Sequence, residues 1–376
     1  MNSKNNKPSL STPHAGTDYV ALTDICQPKQ WKTIPMAELK ATGYPVYGAN
    51  GIIGYSDEYN HENKTILIAC RGASCGAINV CLPKSYVTGN AMCLDGLSEE
   101  FDLYFLQHYL QAYDFKQVIS GSAQPQITRS GLNSVMVPIL PTSSQRRISR
   151  ILNVVDENRK QAEHAVNYLD TLIKSRFVDM FNEVKQTSIL EELIDPETRI
   201  SYGIVQPGPE GTGDMGVLRP VDIADGRLCL DAVKKIDRAI GNSYRRTELM
   251  GDEILTIVRG ATGQTVRSKV DCAGMNVTRG IAVIRYEPSL INPDYLVGYM
   301  NSDNGKRYIA DHTQGATLQQ INIADLRVMP IPVPPLALQQ EFADFVAQVD
   351  KLRFATQQQI EKLETLKKSL MQEYFG

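Results

Sequence analysis

ILIACRGAS (residues 66–74) and ILTIVRGAT (residues 254–262) are nearly the same phrase written twice, each an apolar run ending in Arg-Gly-Ala-Ser/Thr. A chance match of two short runs would stop there. Instead a longer self-match follows in the same order. Residues 120–181 align without gaps on 314–375, sharing Gly121/Gly315, Gln126/Gln320, Ile127/Ile321, Leu132/Leu326, Pro138/Pro332, Pro141/Pro335, Gln145/Gln339, Val155/Val349, Asp156/Asp350 and Arg159/Arg353. LDTLIKS (169–175) then falls on LETLKKS (363–369). The first match is offset by 188 residues (254 against 66) and the second by 194 (314 against 120), so the second copy is longer between the two segments. Two ordered matches mean tandem duplication: module, helix, module, helix.

Each repeat divides at its prolines. VMVPILP (135–141) and VMPIPVPP (328–335) read as extended edge segments that stop before a helix. Beyond them no Pro or Gly occurs until Pro196 in the first copy and Gly376 in the second. Ile148, Val155, Ala162 and Leu169 recur every seven residues, joined by Leu152, Val166 and Ile173. Phe342, Val349, Leu363 and Leu370 recur likewise, with Val346, Leu352, Ile360 and Leu366. Such patterning predicts a coiled coil, each helix a rod of roughly 60 Å at about 1.5 Å per residue. Like helices following like modules are expected to pair antiparallel about a pseudo-twofold axis, holding the modules at opposite ends. The competing arrangement is two amphipathic helices, each docked on its own module.

Inside the modules the periodicity is that of strands. TILIAC, AINVCL, NAMCLDG, EILTIV and GIAVIRY are short and apolar, separated by polar loops. FDLYFLQHYLQAYD (101–114) and NPDYLVGYMNSDNGKRYI (292–309) read as amphipathic helices. The expected fold class is α+β, two similar α/β modules separated by long helices.

Composition narrows the function. The 376 residues exceed what one core organises, and 42% hydrophobic with 22% charged residues is ordinary for a globular protein. The polar start MNSKNNKPSLSTPHAG reads as a disordered tail without an apolar signal core, which predicts a cytoplasmic protein. Seven cysteines form no C-x-x-C pair, so the spacing predicts core thiols and no metal site. The formal charge of −3 carries no global signal for nucleic acid; binding would come from local patches.

The ordered set now assembled resembles the target-recognition domains of Type I restriction–modification specificity (S) subunits. PVYGANGIIGYSDEY (45–59), ILIACRGASCG (66–76), TGNA (88–91), a helix and PxxP before a coil carry the resemblance. SYRRTEL (243–249), ILTIVRGATGQ (254–264), GMNVT (274–278), a helix, PIPVPP and the closing LETLKKSLMQEYF repeat it. The resemblance implies a tail over 1–16, target-recognition domains over 17–141 and 185–335, and spacer helices over 142–184 and 336–376. It implies that each domain reads one half of a bipartite, asymmetric site in double-stranded DNA. The coil would dock two methyltransferase (M) subunits, and restriction (R) subunits would join them. S-adenosylmethionine, ATP and Mg are implied only for those partners; the chain itself is expected to hold no cofactor and catalyse nothing.

Base readers should lie on loops and carry forked or amide groups. Arg71 and Arg259 follow strands and precede glycines; because they recur in both modules, a shared role in phosphate positioning or turn structure is expected. Readers of different half-sites should differ between modules. In the first these are Tyr47, Asn50, Ser74, Lys84, Tyr86 and Asn90. In the second they are Asn242, Tyr244, Arg245, Arg246, Thr262, Gln264, Arg267 and Asn276, with Lys269, Lys84 and Arg267 as phosphate contacts. The Tyr-Arg-Arg run is the densest positive patch with an aromatic; its plainer reading is a solvated edge. Two other readings stand beside these: a coiled-coil adapter for protein partners, and a degenerate DNA methyltransferase suggested by Asn292-Pro293-Asp294-Tyr295. The latter lacks a second proline and a Gly-rich cofactor turn, so a helix start is the expected role of Asn292.

Overall fold

The computed structural model describes residues 18–121, 124–208, 211, 213–224, 226–315 and 318–376; the expected N-terminal tail, with His14, lies outside them. The chain forms two compact units, one of residues up to 163 together with 357–376, the other of residues 164–356. Each unit holds one module, the start of the long helix that follows it in sequence, and the end of the other long helix.

Both units repeat one topology. In the first, an antiparallel sheet runs Gln27–Lys29, Ala91–Asp95, Ile66–Ala69, Ile78–Val80. In the second the order is Ser201–Tyr202, Ile281–Ile284, Ile254–Ile257, Thr265–Arg267. A three-stranded sheet accompanies each, with one antiparallel and one parallel pairing: Gly51–Ser56, Tyr44–Gly48, Tyr86–Val87, and Lys234–Ile236, Met215–Leu218, Asn276–Val277. The phrases that opened the sequence are thus the same strand of the same sheet. They are apolar without alternation because both faces are covered. Ile66 and Ile68 face one cluster and Leu67 another; Ile254 and Leu255 divide in the same way.

A helix lies against each sheet. Leu103–Ala112 buries Phe105, Leu106, Tyr109 and Leu110, and Pro293–Asn301 buries Tyr295, Leu296, Tyr299 and Met300, each a single stripe at helical spacing. Asn292 caps the second, its Oδ1 accepting from the N–H groups of Asp294 (2.9 Å) and Tyr295 (3.4 Å), so the Asn-Pro-Asp-Tyr motif is a helix start. The single helix expected over 292–309 is two. Ser302 adopts an extended conformation (φ −69°, ψ 166°) and its Oγ caps Asp303–Asp311 by accepting from Gly305 N–H.

The long helices are Thr142–Phe181 and Leu336–Phe375, 40 residues each. They pair antiparallel. In the first unit Lys367 Nζ donates to both carboxylate oxygens of Asp156 at 2.7 Å. In the second, Arg353 pairs with Asp170 and Arg176 with Glu341, so as one helix ascends the other descends. The seam differs from the expected one at two positions. Leu352 and Leu366 are 59% and 46% exposed. The sheltered positions run 346, 349, 353, 356, 360, 363, 367 and 370, alternating by threes and fours. Keeping that alternation after Val349 and Leu363 puts Arg353 and Lys367 on the seam and turns the preceding leucines outward. No helix among the described residues is long and apolar enough to cross a membrane.

One buried side chain ties each module to its own long helix. Gln145 and Gln339 are each 0% exposed. Gln145 Oε1 accepts from Asp102 N–H (2.8 Å), while its Nε2 donates to the carbonyls of Glu100 (2.9 Å) and Leu140 (2.8 Å). Gln339 Oε1 accepts from Asn292 N–H and its Nε2 donates to Pro334 O, both at 2.8 Å. Asp102 and Asn292 are the caps of the two module helices. Gln145→Leu leaves several backbone groups buried without partners, at about 1–3 kcal/mol each. It is expected to lower unfolding stability by roughly 2–5 kcal/mol, and Gln339→Leu by a similar amount. Gln161→Leu, on the exposed face, should be nearly silent in the same denaturation curves.

Candidate nucleic-acid interface

The Arg-Gly turns meet the second repeated segment. Arg71 forms a backbone bridge with Gln126, and Arg259 with Gln320. Gly72 N–H donates to Pro125 O (3.2 Å) and Gly260 N–H to Gln319 O (2.9 Å). The strand ends that precede them accept in turn from Ile127 and Ile321. In the hairpins that dock there, Gly121 and Gly315 have φ of +88° and +103°, and a Cβ would fall 2.4 Å from Gln124 O and 2.3 Å from Leu318 O. Both repeated phrases therefore serve one junction per unit. The backbone of each Arg makes it, leaving the Arg71 side chain exposed and that of Arg259 half-exposed.

In the second unit, the loop from 242 to 248 is fixed from behind. Asn276 is fully buried; its Oδ1 accepts from Thr247 Oγ1 (2.8 Å), and its Nδ2 donates to Tyr244 O (3.1 Å). Arg285 donates through Nη1 to Arg246 O and through Nη2 to Glu248 O, both at 2.7 Å. Glu253, itself buried, lies 3.6 Å from that guanidinium. Fixed in this way, the loop presents Asn242, Arg245 and Arg246 to solvent, with Tyr244 half-buried. These side chains line a cleft of about 650 Å³ together with Tyr202 and Arg327. Asn276 is thus a backing residue: it is fully buried, with its amide turned onto Thr247 and Tyr244.

Arg267 is also committed within the chain. Its Nε and Nη2 donate to Asp252 Oδ1 (2.8 and 2.6 Å), and its Nη1 donates to Asp294 Oδ2 (2.9 Å). Burial raises the Asp294 carboxyl above its ordinary range against the lowering pull of Arg267. Two carboxylates on one guanidinium cancel the charge a phosphate would need. Lys269 is exposed, Gln264 is half-buried with its Oε1 lacking a partner among the described residues, and Thr262 Oγ1 lies 3.3 Å from Thr313 Oγ1.

In the first unit Asn50 sits exposed between strands Tyr44–Gly48 and Gly51–Ser56, and Asn90 is exposed before Ala91–Asp95. Lys84 is exposed, with a left-handed backbone (φ 55°) and Nζ 4.0 Å from Glu62. Ser74 is half-buried in the Arg71 turn, and Tyr86 is half-buried with its hydroxyl donating to Lys32 O (3.0 Å). Tyr47 is buried, and its hydroxyl accepts from Leu82 N–H (3.2 Å). Burial pushes its phenol up, consistent with a core residue in place of a reader.

The backing of this unit is a group sequence reasoning did not single out. Asn60 Oδ1 accepts from Val87 N–H (2.8 Å), and its Nδ2 donates to Val87 O (3.0 Å). His61 Nδ1 lies 2.6 Å from Asn60 Oδ1, and its Nε2 lies 2.9 Å from Asp95 Oδ1. Trp31 Nε1 donates to Asp95 Oδ2 (3.0 Å). Strand register supplies the signal. Leu67 pairs with Cys93 and Leu255 with Val283, so Asp95 and Arg285 hold equivalent positions two residues on. Opposite charges at one repeat position brace different loops.

A duplicated α+β scaffold with braced loops, and a cleft lined by Arg245, Arg246 and Arg327, marks the class as a two-module α+β protein. A family model, the Type I restriction modification DNA specificity domain, matches residues 16–167 and again 212–365. The chain belongs to this family of Type I restriction–modification specificity subunits and carries two copies of the domain. It is 22% identical over 353 residues to the Type I restriction enzyme EcoBI specificity subunit of Escherichia coli, covering 85% of this chain and 70% of that one. A putative specificity subunit of Haemophilus influenzae, S.HindORF215P, is 30% identical over 123 residues, about a third of each chain. The fold is similar to the solved S subunit from M. genitalium, with TM-score 0.60 at 14% identity over 96% of this chain and 97% of that one. A chain from a structural study of complex assembly and conformational transition in the type I R-M system gives TM-score 0.56 at 16% identity, covering 97% and 98%.

A loop locked from behind is one whose exposed side chains can be changed without unfolding it. Arg245→Ala and Arg246→Ala are expected to leave thermal stability within about 0.5 kcal/mol of the parent. Each should lower the slope of log affinity for DNA against log salt by about 0.9 if it neutralises one phosphate. Asn276→Ala should instead lower stability. Titrations of the assembled complex at several KCl concentrations, alongside melting curves, check all three.

Proposed function

We propose that each module reads one half of a bipartite, asymmetric DNA sequence, and that the paired helices set the spacing between the halves. The observation that carries this reading is a repeated scaffold that carries different loops. The sheet order, the Arg-Gly junctions and the glutamine clamps occur in both units. The loops they support do not: Asn60, His61 and Asp95 back one, Asn276 and Arg285 the other. Two copies of one frame carrying different readers suit two different half-sites.

The chain is a recognition subunit, with chemistry left to partners. Asn292 acts as a helix cap, which takes away the one motif that suggested methyl transfer. The long helices keep large apolar side chains outside their seam, including Val154, Tyr168, Val178 and Phe354. Such side chains suit docking of methyltransferase subunits, which would bind S-adenosylmethionine; restriction subunits would add ATP and Mg chemistry in the cytoplasm. The same exposed residues are what an adapter for protein partners would display, so the discriminating measurement is on DNA. Methylome sequencing of the host with and without this gene is expected to lose one two-part motif when the gene is removed. An added heptad in both long helices should lengthen the non-specific spacer in that motif. An unchanged methylome on deletion, or an unchanged spacer after insertion, contradicts the respective half of the proposal.

A further inference from the structure

The backing of the first unit sets an imidazole against a carboxylate, where its second-unit counterpart has a guanidinium. Asn60 is pinned by Val87 so that its Oδ1 is the acceptor: that oxygen takes Val87 N–H while its own amide donates to Val87 O. His61 Nδ1, 2.6 Å from the same oxygen, must therefore carry a hydrogen. The other ring nitrogen, Nε2, faces Asp95 Oδ1 at 2.9 Å. Ring and carboxylate face each other across a position that a cation fills, either a proton on the ring or a metal ion.

A third donor converges on the same point. His61 Nε2, Cys93 Sγ and a carboxylate oxygen of Asp95 all lie within 4.8 Å of one another. Cys93 and Asp95 are alternate residues of strand Ala91–Asp95 and so share a face. Other thiols nearby are engaged elsewhere: Cys70 Sγ accepts from Gln30 Nε2 (3.0 Å) and Cys81 Sγ from Thr65 N–H (3.3 Å). We propose that His61, Cys93 and Asp95 bind one zinc ion in the first unit.

The donor set argues for zinc. Thiolate, imidazole and carboxylate together suit it, whereas magnesium and calcium take oxygen ligands. Zinc at about 2.0–2.3 Å from each ligand places the ligands about 3.3–3.8 Å apart. The His–Asp distance therefore opens by a few tenths of an ångström as the thiol closes in. The outer contacts are already those of a metal site: the imidazole directs its second nitrogen to an amide oxygen, and the second carboxylate oxygen takes the Trp31 indole N–H. Binding replaces the Cys93 thiol proton, which leaves to solvent, and a water completes four-coordination. His61 also exchanges backbone hydrogen bonds with Ser85 (3.0 and 3.1 Å), so the ion would steady the segment carrying Lys84 and Tyr86. In the second unit Val283 and Arg285 occupy the places of Cys93 and Asp95. There the guanidinium supplies the cation covalently, which is why a single ion per chain is expected.

The test is metal analysis of the full-length chain, expressed with zinc in the medium and dialysed against metal-free buffer. One zinc per chain is expected, falling at least tenfold in His61→Gln and Asp95→Asn and unchanged in Cys229→Ser, whose thiol is exposed. Should those variants fail to fold, cobalt exchanged into the unmodified chain reports on the thiolate directly. It should give an intense sulfur-to-cobalt charge-transfer band in the near ultraviolet, and Cys93→Ser should remove it. Zinc content near zero, zinc lost with Cys229→Ser, or a cobalt spectrum without the thiolate band would each overturn the site.

Discussion

Phe375, near the end of the second long helix, packs edge-on against Phe105 and Tyr109, with ring centroids 5.6 Å from each. Phe181 holds the corresponding place near the end of the first long helix and packs against Tyr295 at 4.7 Å and Phe342 at 5.6 Å. Each module core is therefore closed by the helix that does not follow it in sequence. That closure requires the helices to run antiparallel and in one register. Apolar seam residues alone hold register weakly, since a slip of one heptad replaces one aliphatic contact by another. Charge fixes it: Lys367 with Asp156 in one unit, Arg353 with Asp170 in the other. A slip of one heptad would bring one of these cations opposite Glu163 and leave the other without its carboxylate, and polar groups at seam positions are an established way to specify register. Arg227 adds a second cation to Asp170 from the module side.

The loops proposed to read DNA depend on a second constraint, the satisfaction of polar groups behind them. Asn276, buried, and Arg285, half-buried, are held in place, because a donor that turned away from Tyr244, Arg246 or Glu248 would lose its partner. The loop is thereby given a fixed backbone while its outward side chains remain free to differ. Asp95 does the corresponding work in the first unit through His61. Repeating the frame and reversing the charge at one repeat position lets the same fold hold loops of different length and chemistry. Pre-ordered loops also reduce the conformational entropy lost on binding.

The duplication, the long helices and the strand before each Arg-Gly turn were all legible in the sequence, because repeats, helix-breaking residues and apolar runs are local signals. The helix start at Asn292 was legible for the same reason. The exposure of Leu352 and Leu366 was not. Heptad bookkeeping counts apolar residues, whereas the helix spacing admits Arg353 and Lys367 once Asp170 and Asp156 face them. The candidate interface residues differ in placement. Arg245 and Arg246 stand on the surface, but Asn276, Arg267 and Tyr47 are engaged within the fold. An amide or guanidinium suits a base edge and a buried backbone equally well, and only tertiary partners separate the two uses. The convergence of His61, Cys93 and Asp95 was likewise invisible to spacing rules, since His61 comes from a segment some thirty residues before the strand that carries the other two and no paired motif links them.

The central claim is that each module is completed by the far end of the other long helix. Hydrogen exchange of the full-length chain carrying Phe375→Ala tests it most directly. Losing a buried aromatic should cost about 3–5 kcal/mol and fall on the unit where it is buried. Amide protection should drop across Leu103–Ala112 and around Leu152 while Pro293–Asn301 exchanges as before. Equal loss of protection in both module helices, or none in Leu103–Ala112, would contradict the account.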